Sequence, residues 1–168
     1  MQVLKMKTFN FVILFLFLSG EFSVLANGIN DDGWELFRPS QDSGCDRKET
    51  GHGVEIQGDF NGDKKKDVAK IQINKKMKKA RLVVWLGGQH TPIVIKEWDD
   101  LEEDNFVALI EPTIHKTWCG KTGECNPGES KSVELKNQSI AFGTCEASQA
   151  DYHWNSNAKK FDEDWVSD

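Results

Sequence analysis

Oxygen-bearing side chains recur at fixed spacing in Gly58-Asp59-Phe60-Asn61-Gly62-Asp63-Lys64-Lys65-Lys66-Asp67. Asp59, Asn61, Asp63 and Asp67 stand at positions 1, 3, 5 and 9 of this stretch, and the carbonyl of Lys65 falls at position 7. Calcium is a hard cation that takes about six to eight oxygen ligands, so it is the cofactor that this set of residues would hold. Gly62 permits the turn that brings the side chains inward. The helical EF-hand pattern is excluded. Lys64 stands where that pattern has Gly, Lys70 stands where it has Glu, and both flanks read as strands. A metal-free reading stays open beside it. Asn61-Gly62 is a hairpin turn signal, and Asp side chains close turns by accepting backbone N–H groups. Lys64, Lys65 and Lys66 would then neutralise the carboxylates. In either case the loop holds a hairpin together and has no spare ligand to face a substrate.

The rest of the chain shows no catalytic set. His52, His90, His115 and His153 are too far apart in sequence to form a zinc ligand pair, and they read as surface or turn histidines. His52, between Gly51 and Gly53, has a path to face the Asp loop. No Gly-x-Ser-x-Gly elbow occurs. Acidic pairs such as Asp31-Asp32, Asp99-Asp100 and Glu102-Glu103 come in runs that read as solvated surface, not as the two separated carboxyls of a glycosidase. Lysines crowd the stretch from 64 to 79, which reads as a hairpin with charged ends or as a contact for an acidic partner. Of the six tryptophans, Trp85 lies in an apolar run and is expected in the core. Trp98, Trp118, Trp154 and Trp165 lie near strand ends, as core residues or as interface anchors. Asn137-Gln138-Ser139 fits a glycosylation acceptor, relevant only in a eukaryotic secretory route.

Short alternating pieces must position these residues. Val54–Gln57, Asp67–Asn74, Arg81–Leu86, Pro92–Trp98 and Asn105–Ile110 read as strands, followed by Val133–Leu135, Ser139–Phe142, Ala150–Trp154 and Phe161–Val166. β-Branched and aromatic residues at period two, bounded by Gly, Asn, Asp and Pro, argue antiparallel pairing. Residues 74–79 and 155–160 read as polar hairpin turns, and only Asp99–Asp104 looks able to form a helical turn. The Asp-rich loop occurs once, which argues against a propeller. The expected fold is mostly β: a single antiparallel sheet or sandwich with hairpins, stapled by two disulfides.

The ends and the cysteines point to export. Lys5 and Lys7 precede an apolar run from Phe9 to Leu18, and Val24-Leu25-Ala26 suits signal peptidase, so residues 1–26 read as a signal peptide and 27–168 as a single β domain. The apolar run falls short of the ~20 residues of a bilayer span, so no membrane span is expected after cleavage. Removing Lys5, Lys7 and Glu21 from the 21 basic and 27 acidic residues leaves 19 and 26, a formal charge of −7. That balance argues against nucleic-acid binding. Cys45, Cys119, Cys125 and Cys145 form an even set with three possible pairings. Gly120 and Gly123 favour a tight Cys119–Cys125 loop, leaving Cys45–Cys145 to tie the ends of the domain. A four-Cys zinc site is the rival, disfavoured because only one close Cys pair exists.

The Gly-Asp-Phe-Asn-Gly-Asp stretch continuing to Asp67-Val68-Ala69 resembles the calcium-binding loop of FG-GAP or VCBS-type repeats, which joins two β-strands. That resemblance implies Asp59, Asn61, Asp63, the Lys65 carbonyl and Asp67 as ligands, and Lys64 departs from the Gly usual in that pattern. The segment from Glu146 through Tyr152-His153-Trp154 and Phe161 to Trp165-Val166-Ser167-Asp168 resembles the ending of small exported Gram-negative proteins with a single such loop. The expectation is a monomeric, periplasmic or secreted, non-enzymatic binding module with a structural calcium loop. Its partner would be a protein, in the specific version a secreted hydrolase that it inhibits, as an immunity-type protein does. The alternatives are a periplasmic hydrolase using carboxylates near the loop and a cell-surface adhesive module. A deep pocket holding His52 or His115 with a buried carboxylate would favour the hydrolase, and a flat Trp-lined face would favour binding.

Overall fold

The computed structural model of the protein describes residues 33–40, 51–99 and 104–167. The proposed signal peptide, Cys45 and most of the expected helical turn at Asp99–Asp104 lie outside the described residues. Eleven strands carry this part of the chain: β1 (Glu35–Leu36), β2 (Glu55–Gly58), β3 (Asp67–Asn74), β4 (Lys79–Trp85), β5 (Ile93–Asp99), β6 (Asn105–Ile110), β7 (Thr113–Lys116), β8 (Ser132–Leu135), β9 (Ser139–Thr144), β10 (Gln149–Asn155) and β11 (Lys160–Ser167). One short helix, α1 (Trp118–Thr122), interrupts them.

All the pairings are antiparallel, and they build two main sheets and a separate hairpin. In the first sheet β5 pairs β4 and β4 pairs β3. The far edge of β3 is shared between β2, opposite Asp67–Lys70, and β1, opposite Gln72 and Ile73. The second sheet runs β11-β10-β9-β6. Gly53 joins the two: its N–H and C=O both bond Val107 on β6 at 2.8 Å, just before the chain enters β2.

β3 alternates largely as its sequence predicts, β4 (over 80–84) and β9 (over 139–143) are buried continuously, and both sheets turn one apolar face to the same core. Phe37, Phe60, Ile71, Leu82 and Val84 come from the side of the first sheet, and Val107, Ile140, Phe142 and Tyr152 from the second. The architecture is therefore a sandwich, because neither sheet alone can remove its apolar face from water. Trp85 departs from the expectation that it is core. It ends β4, is only partly buried, and lies under the Lys70 ammonium, 5.6 Å from its ring centre. Its neighbours Val84 and Leu86 are both buried in the core, so strand alternation turns the Trp85 ring to the opposite face of the sheet.

The turn at 75–78 links Asn74 to Lys79, and the turn at 156–159 links Asn155 to Lys160. Each is closed by an asparagine carbonyl. Asn74 Oδ1 accepts from Met77 N, and Asn155 Oδ1 accepts from the N–H groups of Asn157 and Ala158. The last turn residue, Lys78 or Lys159, takes the left-handed conformation.

The outer face of the second sheet carries the β7–β8 hairpin and α1, neither of which the alternation in the sequence announces in full. Thr117 caps α1 by accepting from Gly120 N at 3.2 Å, and Gly123 ends it at φ 83°. Gly120 is required: a Cβ there would lie 1.8 Å from the Lys131 carbonyl oxygen. The Cys119–Cys125 disulfide spans this helix, with a Cα–Cα distance of 4.7 Å. The structure thus describes one disulfide where two were expected. Cys145 is itself disulfide-bonded, while its expected partner Cys45 lies outside the described residues.

Tyr152 is the single tyrosine of the chain, buried in the core with its hydroxyl donating to Glu163 Oε1 at 2.8 Å. Burial above all, then the Glu163 hydrogen bond and charge, push the phenol far above its ordinary value of ~10. The stability this contributes is complete below that ordinary value and is lost as pH climbs toward the raised one, because the unfolded chain ionises first. Tyrosinate absorbance should therefore stay silent in the folded protein at about pH 10–11 and appear together with loss of near-ultraviolet circular dichroism. A smooth rise at the ordinary phenol pKa in a still-folded sample would contradict this burial.

Candidate functional site

The Asp/Asn loop is the connection from β2 to β3, and it is closed by its own main chain. Asp59 Oδ1 accepts from Gly62 N and Asp59 Oδ2 from Lys64 N, both at 2.9 Å. Asn61 Oδ1 accepts from Asp63 N, and Asp63 Oδ1 from Lys65 N, again at 2.9 Å. These are Asx turns laid end to end, which short carboxylate and amide side chains form readily. Gly62 takes φ 78°, and a Cβ there would meet Asn137 Oδ1 at 2.7 Å. Lys64 takes φ 66° at the position where glycine was expected and is absent. The Lys65 ammonium lies 3.5 Å from Asp63 Oδ2, an exposed and therefore weak pair.

The loop is held to the fold at both ends. Phe60, fully buried, plugs into the common core. Asp67 begins β3 with no exposed surface. Its Oδ2 accepts from Phe60 N at 2.8 Å and its Oδ1 from Gly87 N at 2.7 Å, so one carboxylate ties the loop to the start of the β4–β5 connection. Desolvation raises the Asp67 pKa, against the N–H groups of Gly87, Phe60 and Asn61, which lower it, while the charge of Asp63 raises it further. For Asp63 the N–H of Lys65 is the largest influence and lowers the pKa. From the β8–β9 connection, Gln138 Oε1 accepts from Asp59 N at 2.8 Å, and Asn137 Nδ2 reaches the Phe60 carbonyl at 3.4 Å.

The expected ligands Asp59, Asn61, Asp63, Lys65 and Asp67 thus occupy one continuous loop. Their donor type suits a hard cation, since all are oxygens, and a carboxylate oxygen that accepts one N–H retains a further lone pair. Their arrangement here is the amide-closed turn: among the described residues no three His, Cys, Asp or Glu side chains are grouped to hold a metal ion. The loop also forms one wall of an open groove of about 500 Å³, in which Asn61 and Asp63 face Gln89, Ile93, Trp154 and Lys159.

The histidines fall elsewhere. His52 does not face the loop. Its ring stacks on Phe106, with 3.7 Å between centroids, and its Nδ1 lies 3.6 Å from Cys145 Sγ. His90 is exposed, as expected. His115, on β7, hydrogen-bonds through Nδ1 to Oδ2 of Asp151, a fully buried carboxylate on β10 that also accepts from Gln149 Nε2 at 2.9 Å. His153 Nδ1 stands 3.2 Å from Asp164, whose pKa burial raises and His153 lowers. Sequence reasoning left His115 as a surface residue, and the 36 positions separating it from Asp151 carry no pattern that pairs them. The pair clasps the β7–β8 hairpin to the sheet.

Neither a family model, nor a curated protein, nor a solved structure matches this chain. The fold and the loop therefore define it as a two-sheet β sandwich with one Asp/Asn-rich hairpin loop.

Two variants test this geometry. Lys64→Gly should remove the left-handed strain and stabilise the protein by about 1 kcal/mol, read as a higher denaturant midpoint at unchanged slope. An unmoved or lower midpoint would contradict the strain at Lys64. His115→Ala should leave the buried Asp151 short of a partner and cost about 1–3 kcal/mol in the same assay, whereas a loss within error would show that the clasp carries no stability.

Proposed function

We propose that the protein is an exported, non-enzymatic binding module of the periplasm or the extracellular space. In this reading the Asp/Asn loop is a structural calcium site, and the groove beside it docks a protein partner. The most specific form is an inhibitor or immunity-type protein against a secreted hydrolase. One observation carries the reading: an Asp/Asn loop anchored in the core by Phe60 and Asp67 forms the wall of an open groove furnished with Trp154. A rigid rim beside an aromatic anchor is what a binding surface needs. The desolvated Asp67 carboxylate, crowded by Asp63, supports calcium, because a divalent cation would relieve both charges. The Cys119–Cys125 disulfide supports an oxidising compartment.

The hydrolase reading has its own observation, the His115–Asp151 pair. Neither the groove beside the loop nor the cavity at Trp98 and Phe142 is lined by these residues, so the binding reading ranks above it. The adhesive reading requires strand edges open to pairing. The outer strands β5 and β11 carry Lys96, Glu97, Asp162, Glu163 and Asp164, charges that resist edge-to-edge association, whereas β6 at the other edge of the second sheet carries none.

Calcium should raise the melting temperature of the parent and leave Asp59→Ala unmoved. Equal melting with calcium and with chelator in both proteins would remove the metal from the reading. The immobilised protein, passed over periplasmic extract under oxidising conditions, should retain a hydrolase in stoichiometric amount and inhibit it. Retention should fall in Lys159→Glu. Failure to retain or inhibit any hydrolase would overturn the inhibitor form.

A further inference from the structure

A second cavity lies at the opposite end of the seam between the sheets, where β5, β9 and β11 finish. Its volume is about 280 Å³. Trp98 and Phe142 line it with rings tilted by 53° at 4.9 Å, and Trp165, 48% exposed, stands at its open side. Polar groups surround these rings. Asp99 is exposed, Ser148 is half-buried, and Asn105 Nδ2 donates to Thr144 Oγ1 at 3.1 Å. The Lys96 ammonium sits over both the Phe142 and the Trp165 rings, at 5.7 and 5.4 Å from their centres, and 3.3 Å from Glu163.

This lining excludes ligand classes one by one. Aromatic faces attract cations, but here the protein's own Lys96 already supplies the cation. An anion would meet a lysine already neutralised by Glu163 and the opposing charge of Asp99. A wholly apolar ligand would strip water from the Asp99 carboxylate and the Ser148 hydroxyl and replace none of their hydrogen bonds. What remains is a neutral ring with one apolar face and an edge of hydroxyls. A pyranose meets that description: its C–H face packs on an indole while its hydroxyls replace water around the rim.

We propose that this cavity is a binding subsite for a single neutral sugar ring, with Trp165 as the stacking platform and Asp99 and Ser148 as hydroxyl partners. The site is separate from the Asp/Asn loop and does not rest on the protein-partner reading. A calcium response that survives loss of sugar binding would distinguish the two.

Saturation-transfer NMR on the full chain tests it, with glucose, galactose, N-acetylglucosamine and their short oligomers as probes. Tetramethylammonium and inorganic phosphate, followed by shifts of the protein's indole N–H resonances, serve as the cationic and anionic rivals. Sugar-ring protons should receive saturation. Trp165→Ala should weaken binding by about tenfold or more, the loss expected of an aromatic anchor, and Ser148→Phe should block it by filling the cavity. Trp118→Ala, an exposed indole on α1 outside the cavity, should bind as the parent does. Near-ultraviolet circular dichroism establishes that each variant folds. The proposal is overturned if no sugar in the panel receives saturation, if folded Trp165→Ala and Ser148→Phe bind like the parent, or if tetramethylammonium or phosphate shifts the Trp98 and Trp165 indoles in place of the sugars.

Discussion

One buried carboxylate organises the part of the molecule with chemistry in it. Asp67 has no exposed surface, and its two oxygens accept N–H groups from opposite directions, Phe60 within the loop and Gly87 beyond β4. A carboxylate out of water is costly unless its hydrogen bonds are satisfied, so these amides are constrained to stay where they are. That constraint closes the β2–β3 connection and fixes the start of the β4–β5 turn against it. It also sets where the groove can open. The same burial leaves a charge partly compensated by dipoles, and this is the physical link between the fold and the proposed calcium site.

The sandwich supplies two kinds of surface from one design. Where strand ends meet at the seam between β5 and β11, the shared core thins and aromatic side chains reach solvent. At one end Trp154 adjoins the Asp/Asn loop, and at the other Trp98, Phe142 and Trp165 surround a smaller cavity. Between them the Lys96–Glu163 pair bridges the two outer strands, which share no ladder hydrogen bonds. The pair is half-exposed, so it marks the seam without holding the sheets together; the common core does that. The outer face of the second sheet is closed differently, by a hairpin and a five-residue helix held through His115–Asp151 and the Lys121 ammonium on the Val166 carbonyl.

Much of this was legible in the chain. Asp67–Asn74 and Asn105–Ile110 are strands with the bounds that period-two alternation assigns them, and the other expected strands are present within a few residues. The polar turns at 74–79 and 155–160 are hairpins closed by their asparagines. The tight Cys119–Cys125 loop also follows from local glycine placement. β7 and α1 escaped notice because each is about one turn or one half-hairpin long. Thr117 and Gly123 are the cap residues a helix uses, but only five residues lie between them, too few for a periodic pattern. The expectation for Trp85 failed because a continuous apolar run does not show which of its residues face the core: Val84 and Leu86 do, and Trp85 between them faces the other way.

Local chemistry decides what neighbours in sequence can do: alternation sets the strands, Asn and Gly set the turns, and the Asp/Asn spacing sets a loop that folds onto its own amides. Such contacts depend on a few residues of backbone and are encoded in order. Only the tertiary structure decides which distant groups meet. Gln138 braces Asp59 from 79 residues away, His52 turns to Phe106 and Cys145 instead of the loop, and Asp151 takes His115 as its partner. These choices follow from how two sheets must stack to hide their apolar faces. That is a property of the whole surface removed from water, and no single stretch of the chain contains it.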